Sequence, residues 1–333
     1  MIMRTHTAVI GVLLFLTACS PTIMVQGPPI QDASMQSDTF MMPDGALLPL
    51  HAWLPDTGEP KAIIIALHGF NDYGQFFKDL GGYLRARNIA SYAYDQRGFG
   101  GTENAGYWSG VEAYVSDAKA VFSVVKAQHP NTPIYMFGES MGGAVLMASA
   151  VDDEPLQPDG FILAAPAVWG RDTMAFYQNA ALWVAVHTMP WLHLTGRGLN
   201  IQPSDNIEML RALGRDPLVI KETRVDAIWG VVNLMDRALE SARQFDARAL
   251  ILYGDRDEVV GMGPTKTMLQ SLPAATPGHR RVALYENGYH MLIRDLMAET
   301  IWRDIESWIE APELSLPSGA DEFALLRKIM AAP

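Results

Sequence analysis

The chain has 333 residues, a formal net charge of −12 at neutral pH and a hydrophobic fraction of 49%. This length and apolar content suit one large buried core. The acidic balance and the lack of a basic run argue against nucleic-acid binding. The histidines and the single cysteine form no paired metal-ligand motif, so we expect no metal site.

Residues 1–18 have the pattern of a secretory signal peptide. The basic residue Arg4 precedes a short apolar run, residues 8–16, which is followed by small residues. That run is about half as long as a membrane-spanning helix. Leu16-Thr17-Ala18-Cys19 resembles the lipobox of bacterial lipoproteins, in which the peptide is cut before the cysteine and the thiol receives a diacylglycerol. The resemblance implies lipidation of Cys19; a plain secretory signal or an uncleaved anchor is the alternative.

The residues after Cys19 bear on where the protein resides. In the lipoprotein family an aspartate next to the cysteine suggests retention in the inner membrane of a Gram-negative cell, whereas this chain has Ser20. We therefore expect a lipid-anchored protein of the bacterial cell envelope, on the outer membrane and facing the periplasm. Residues 19–36 carry Pro, Gln, Ser and Gly with little periodicity and predict a tether. Residues 37–333 are expected to form the folded domain.

Strand-like and helix-like segments alternate along that domain. Asp44-Gly45 between two apolar runs predicts a hairpin. From Lys61 onward, strands are predicted at 62–67, 90–94, 133–137, 160–165, 249–253 and 281–285, and helices at 75–87, 111–128, 143–150 and 290–310. The alternation indicates an α/β fold with a mostly parallel sheet and helices on both faces. Residues 321–331 predict a short terminal helix.

One long segment interrupts the alternation. Between Pro166 and about Arg248 no convincing strand is found, and the segment is rich in Trp and Met. We interpret residues 167–245 as a helical cap over the carboxyl edge of the sheet, where α/β proteins bind ligands. Most of its aromatic and Met side chains are expected to pack on the main domain, and a few to line a pocket.

Gly138-Glu139-Ser140-Met141-Gly142 fits the G-x-S-x-G pattern of a nucleophilic serine. It follows a predicted strand and precedes a helix-compatible segment, which is the context that this motif requires. Side chains two residues before and two after the serine would collide, which explains Gly138 and Gly142. Ser140 is therefore the candidate nucleophile.

A serine hydroxyl needs a base, and the base needs a carboxylate to orient it. In strand–turn–helix hydrolases the chain order is Ser, then Asp or Glu, then His. His290 follows the last predicted strand and is the candidate base. Asp255 and Asp257 follow the preceding strand; the first suits a turn and the second can reach across to the histidine. Glu258 is a third candidate.

The negative charge on the substrate oxygen needs backbone donors. One is the amide of Met141, directly after the nucleophile. The other is expected from the loop after strand 62–67, where Gly69 permits a close approach and the Phe70 amide is the candidate.

Together these motifs resemble the α/β-hydrolase superfamily, in particular its monoacylglycerol lipase/lysophospholipase-like branch of serine aminopeptidase S33-type hydrolases. The resemblance covers about residues 40–309 and is carried by segments 67–70, 94–100, 138–143, 254–257 and 289–290. The branch has its acid third after the glycine, which implies a triad and an oxyanion hole made of Ser140, Asp257 and His290 with Phe70 and Met141. Phe99 stands where the branch usually has a histidine outside the triad.

The resemblance implies hydrolysis of carboxylic esters through an acyl-serine intermediate, with no cofactor. The apolar cap and the lipid anchor favour lipid acyl esters such as monoacylglycerols or lysophospholipids. A peptidase or a small-ester esterase is the alternative, because the fold hosts many chemistries. A non-catalytic lipoprotein that uses the fold as a binding module is a third possibility.

Overall fold

The computed structural model describes residues 19–274 and 278–322. The predicted signal peptide, residues 1–18, lies outside the described residues, as does the predicted terminal helix beyond residue 322. Within the described ranges, no helix combines the length and the apolar character needed to cross a bilayer.

The described residues form eleven strands and eight α-helices. The strands are β1 Ser34–Met35, β2 Thr39–Met41, β3 Leu47–Trp53, β4 Ala62–Leu67, β5 Ile89–Tyr94, β6 Ile134–Glu139, β7 Gly160–Ala164, β8 His193–Thr195, β9 Glu222–Arg224, β10 Ala249–Gly254 and β11 Arg280–Tyr285. The helices are α1 Lys78–Arg85, α2 Val111–Gln128, α3 Met141–Ser149, α4 Phe176–Thr188, α5 Ile207–Arg215, α6 Val225–Ser241, α7 Met262–Ser271 and α8 Ala298–Glu310.

Nine of these strands form one sheet, in the order β1-β2-β3-β5-β4-β6-β7-β10-β11. The pairs from β5 to β11 are parallel, and the first three strands are antiparallel to their neighbours. The predicted hairpin is β2–β3, whose turn places Gly45 at φ 88°, where a glycine is favoured. The predicted fold class, a mostly parallel sheet between helices, is confirmed.

The sheet separates two hydrophobic cores. Successive side chains of a strand point to opposite faces, so the residues of β4 alternate between the two cores: Ile63, Ile65 and Leu67 on one side, and Ala62, Ile64 and Ala66 on the other. Helices α2, α3 and α6 cover the first core, and α1 and α8 cover the second. This two-sided burial explains why β4 is apolar throughout.

The segment that was predicted as a helical cap contains strands as well as helices. Strands β8 and β9 pair antiparallel, so the expectation of no strand between residues 166 and 248 is wrong. All three residues of β8 are exposed, and such a strand lacks the apolar pattern by which a sequence reveals it. Helix α6 packs on α3 within the first core. The interval 167–245 therefore includes one helix of the main domain.

Residues 19–36, predicted as a tether, lie against the domain. The Thr22 amide donates to Asp226 Oδ2 at 3.2 Å, and the Met24 amide donates to the carbonyl of Trp108 at 2.8 Å. Strand β1 then pairs with β2 at the edge of the sheet. Backbone hydrogen bonds thus fix this segment to the domain from Thr22 onward.

Candidate active site

Ser140 occupies the tight turn between β6 and α3. Its backbone has φ 51° and ψ −113°, a conformation that is costly for a residue with a β-carbon. Its amide donates to the carbonyl of Ala164 at 2.9 Å, and its carbonyl accepts the amides of Ala144 and Ala167 at 3.1 and 2.9 Å. These bonds hold the serine at the carboxyl end of β6, with 9% of the residue exposed.

The glycines on either side leave no space for side chains. A β-carbon at Gly138 would lie 2.5 Å from the carbonyl carbon of Gly142, and one at Gly142 would lie 2.6 Å from the carbonyl carbon of Leu67. The predicted collision at both positions is therefore confirmed. The close approach brings α3 against β4 and β6, and it aims the amino end of α3 at the site.

Asp257 and His290 form a buried hydrogen-bonded pair. His290 Nδ1 lies 2.8 Å from Asp257 Oδ2. Asp257 Oδ1 accepts the backbone amides of Val259 and Val260 at 2.8 and 2.9 Å, so both carboxylate oxygens have partners. An ionised carboxylate only accepts, which places a proton on Nδ1 and leaves Nε2 to act as a base.

The surroundings of His290 favour its protonated form. Burial alone lowers the pKa of the imidazole, but the charge and hydrogen bond of Asp257 outweigh it, and Glu139 adds to the same effect, so the net pKa is raised. Arg294 opposes this rise. A site that stabilises an imidazolium suits a histidine that takes a proton from a serine.

The other two candidate acids have backbone partners. Asp255 Oδ1 accepts the amide of Asn287 at 2.7 Å, and Glu258 Oε2 accepts the amide of Gln202 at 2.8 Å. Asp255 thus acts as the turn residue that its position suggested. Of the three candidates, Asp257 is the one for which the structure shows a hydrogen bond with His290.

The loop after β4 lies beside the serine turn. A β-carbon at Gly69 would be 3.3 Å from Ser140 Cβ, so the loop passes directly beside the serine at the residue before Phe70. Met141 begins α3, and its amide has no acceptor within the helix. We call residues 69–72 the oxyanion loop. The two amides predicted for the oxyanion hole therefore come from segments that meet at Ser140.

His68 hydrogen-bonds to the first residue of the oxyanion loop. Its buried ring donates from Nδ1 to the carbonyl of Gly69 at 2.7 Å and accepts the amide of Gln96 on Nε2 at 2.9 Å. This pattern requires a neutral ring, and burial lowers the pKa of His68 accordingly. Phe99 packs edge-on against the same ring, with centroids 5.5 Å apart, which is its role in place of the branch's usual histidine.

Sequence reasoning missed the contacts between the cap and the segment that carries His290. We call residues 289–296 the histidine loop. Ser204 Oγ donates to Asp295 Oδ1 at 2.6 Å, and Asp295 Oδ2 accepts the amide of Tyr289 at 2.8 Å. The amide of Met291 donates to the carbonyl of Pro203 at 3.0 Å. The Ser204–Asp295 bond joins positions 91 residues apart, and no local pattern reveals it.

A buried Asp–His pair and a serine in a strained strand-to-helix turn, at the same edge of a mostly parallel sheet, define the α/β-hydrolase class. Among the described residues no cluster of three or more His, Cys, Asp or Glu could hold a metal ion. The family model of "Serine aminopeptidase, S33" matches residues 58–297. This chain belongs to that family, as the motifs predicted.

Known relatives and a solved structure are similar to this chain over most of its length. The monoglyceride lipase of Rattus norvegicus is 24% identical over 298 residues, 88% of this chain and 95% of the relative. The monoacylglycerol lipase of Mycolicibacterium smegmatis is 22% identical over 277 residues, 80% and 93% of the two chains. The crystal structure of a soluble variant of monoglyceride lipase from Saccharomyces cerevisiae, in complex with a substrate analog, has a TM-score of 0.66 at 19% identity and covers 89% and 99%.

Proposed function

We propose that the protein is a serine hydrolase that cleaves lipid acyl esters, of the monoacylglycerol or lysophospholipid type, through an acyl-serine intermediate. The observation that carries the proposal is the buried hydrogen bond between His290 and Asp257, at the same edge of the sheet as the strained turn of Ser140. Relatives that are named monoglyceride lipase and monoacylglycerol lipase support the ester substrate class.

Acylation begins when His290 Nε2 takes the hydroxyl proton of Ser140 and the serine oxygen attacks the ester carbonyl. Asp257 keeps the imidazole in the required tautomer and stabilises the imidazolium. The amides of Phe70 and Met141 stabilise the charge on the carbonyl oxygen. His290 then protonates the leaving alcohol, and the acyl group stays on the serine.

Deacylation repeats these steps with water as the nucleophile. His290 removes a proton from the water, which attacks the acyl-serine, and the same two amides stabilise the second oxyanion. Collapse of this intermediate returns the proton to Ser140 and releases the fatty acid. Each step is a proton transfer or an acyl transfer, so the chemistry requires no redox cofactor.

The cap supports a lipid substrate. It exposes large apolar side chains, and Phe176, for example, is 85% exposed. Trp183, Trp191, Leu194 and Leu199 are also exposed on this part of the chain. Several exposed large apolar side chains within one short segment favour a surface that meets lipid or another apolar partner.

A fluorophosphonate probe tests the nucleophile directly. We expect the purified wild-type protein to be labelled and to hydrolyse p-nitrophenyl butyrate, and Ser140→Ala to do neither. Ser123→Ala is the matched control, because Ser123 is an exposed serine on α2, and it should behave as wild type. A wild-type protein that is not labelled contradicts the proposal and favours a non-catalytic lipoprotein.

A panel of monoacylglycerols and lysophospholipids, from acetyl to oleoyl esters, tests the substrate class. We expect kcat/KM to rise with acyl length, because each buried methylene contributes about 0.8 kcal/mol to apolar binding. A sharp optimum at acetyl esters would instead indicate a small-ester esterase. Cleavage of aminoacyl p-nitroanilides without cleavage of esters would indicate a peptidase.

We also propose that Cys19 carries the lipid anchor and that the protein resides on the periplasmic face of the bacterial outer membrane. The lipobox-like sequence before Cys19 supports this, and the cysteine is partly exposed. In a Gram-negative host, an alkyne fatty acid should label the wild type but not Cys19→Ser, and only the wild type should sediment with outer-membrane fractions. An unlabelled wild type in the soluble fraction would refute the anchor.

A further inference from the structure

Arg294 joins three segments of the candidate active site. It belongs to the histidine loop and is 7% exposed. Its Nη1 donates to Asp72 Oδ2 at 2.7 Å, and its Nη2 donates to Glu139 Oε1 at 2.6 Å. Asp72 ends the oxyanion loop, and Glu139 directly precedes the candidate nucleophile. One guanidinium therefore connects the base, the nucleophile turn and the oxyanion loop.

This cluster contains two buried carboxylates and one cation. Asp72 and Glu139 are both buried, and Glu139 Oε2 and Arg294 Nε lack hydrogen-bond partners within the described part of the chain. Burial raises the pKa of Glu139, and the charges of Arg294 and His290 counteract that rise. Burial of an ionised carboxylate without a paired cation is unfavourable in free energy. The charge of Arg294 therefore stabilises both buried carboxylates.

The cluster also acts on His290. The charged groups that influence this imidazole are Asp257 and Glu139, which favour its protonated form, and Arg294, which opposes it. Asp257 reaches it from the loop after β10, Glu139 from the end of β6 and Arg294 from the histidine loop. Glu139 directly precedes Ser140 and bonds to Arg294 of the histidine loop, so its carboxylate belongs to the same buried cluster as His290.

We propose that Arg294 is a positioning residue of the hydrolytic site, which holds the oxyanion loop and the nucleophile turn in place through Asp72 and Glu139, and that Glu139 assists Asp257 in stabilising protonated His290. This inference rests on the proposed hydrolase function. The fork of a guanidinium is needed, since the point charge of a lysine does not bond two separate carboxylates in the same geometry.

Variants of Arg294 test the positioning role. We expect Arg294→Lys to lower kcat for p-nitrophenyl butyrate about tenfold and Arg294→Met about a hundredfold, because small displacements of catalytic groups are this costly. KM should change little, since Arg294 is expected to make no contact with substrate. Arg303→Met is the matched control: Arg303 is exposed on α8, where it pairs with Glu299, and its loss should leave kcat unchanged.

Glu139→Gln tests the electrostatic role and keeps an oxygen for Arg294. Removal of this negative charge lowers the pKa of His290, so the acid limb of the kcat/KM profile should move to lower pH. Glu299→Gln is the matched control and should not move it. A purely structural role of Glu139 would reduce activity without a shift of the limb.

Three results would overturn the inference, and they can be told apart. If Arg294→Met folds and has the same kcat as Arg303→Met, Arg294 has no positioning role. An unshifted acid limb in Glu139→Gln removes the electrostatic role. A wild type that neither hydrolyses esters nor reacts with fluorophosphonate refutes the proposed function, and the inference with it. If Arg294→Met does not fold by circular dichroism, Arg294→Lys and Glu139→Gln decide the question.

Discussion

Replacement of Asp257 with asparagine should disable the proposed base and leave the fold nearly intact. Asparagine has the same shape, and its oxygen can still accept the amides of Val259 and Val260. Its amide nitrogen would then face His290 Nδ1, and two donors cannot bond to each other. The ring therefore adopts the tautomer with the proton on Nε2, which cannot take the proton of Ser140.

The expected loss is about 10³- to 10⁴-fold in kcat, the usual effect of a wrong tautomer at a Ser-His-Asp site. This corresponds to about 4–5.5 kcal/mol of activation free energy. Asp255→Asn is the matched control. Asp255 is exposed and bonds to one backbone amide, that of Asn287, which an asparagine oxygen can also accept. Its kcat should stay within about threefold of the parent.

The pH profile provides a second, independent reading. Because Asp257 raises the pKa of His290, its neutralisation lowers that pKa, and the acid limb of the residual kcat/KM should move to lower pH. Steady-state hydrolysis of p-nitrophenyl butyrate across the pH range measures both effects, with urea unfolding as the check on stability. Loss of turnover in folded Asp255→Asn, with activity retained in Asp257→Asn, would refute the acid assignment and the tautomer reasoning.

Three further substitutions test buried contacts of the site and of the main domain. Gly142→Ala would place a β-carbon 2.6 Å from the carbonyl carbon of Leu67; we expect unfolding in urea to become easier by about 3 kcal/mol, and parent stability would show that α3 can shift freely. Ser204→Ala removes a buried donor from Asp295 in the histidine loop. The free energy of unfolding should fall by about 1–3 kcal/mol, and kcat should also fall. An unchanged kcat would show that the Ser204–Asp295 bond does not affect His290. Arg97 pairs with Asp44 and with Asp117, whose pKa burial raises to about 6. Arg97→Met removes both ion pairs, and the free energy of unfolding should fall by about 3–5 kcal/mol at pH 8 and by less at pH 5, where Asp117 is protonated. Equal losses at both pH values would contradict an ionised Asp117 at pH 8.

The sheet and the nucleophile turn could be predicted because their signals are local. β4 is buried on both faces, and a continuous apolar run of six residues follows from that burial. The turn at Ser140 needs glycines at fixed offsets, and a pentapeptide shows them. The order of acid and base along the chain could then be predicted, since β10 and β11 each end in a loop at the same edge of the sheet.

The remaining features depend on contacts between distant parts of the chain. Strands β8 and β9 are separated by the 26 residues that lie between Thr195 and Glu222, and all three residues of β8 are exposed. Arg294 follows an apolar run, and nothing local shows that its partners are Asp72 and Glu139, which precede it by 222 and 155 residues. A charged residue in an apolar run indicates a buried ion pair at best, without naming the partners.

The main domain and the cap differ in how much surface they bury, and we expect the main domain to be the more rigid of the two. The strained backbone of Ser140 is maintained because α3 is buried along its whole length and its packing holds the turn in place. In the cap, α4 buries only Val186 and α5 buries none of its residues. Segments with few buried apolar contacts open at the lowest free energy, so the cap should exchange amide hydrogens faster than the main domain. Because Ser204 Oγ donates to Asp295 Oδ1, we expect such opening to be smallest where the cap meets the histidine loop, so that His290 keeps its position when the outer cap opens.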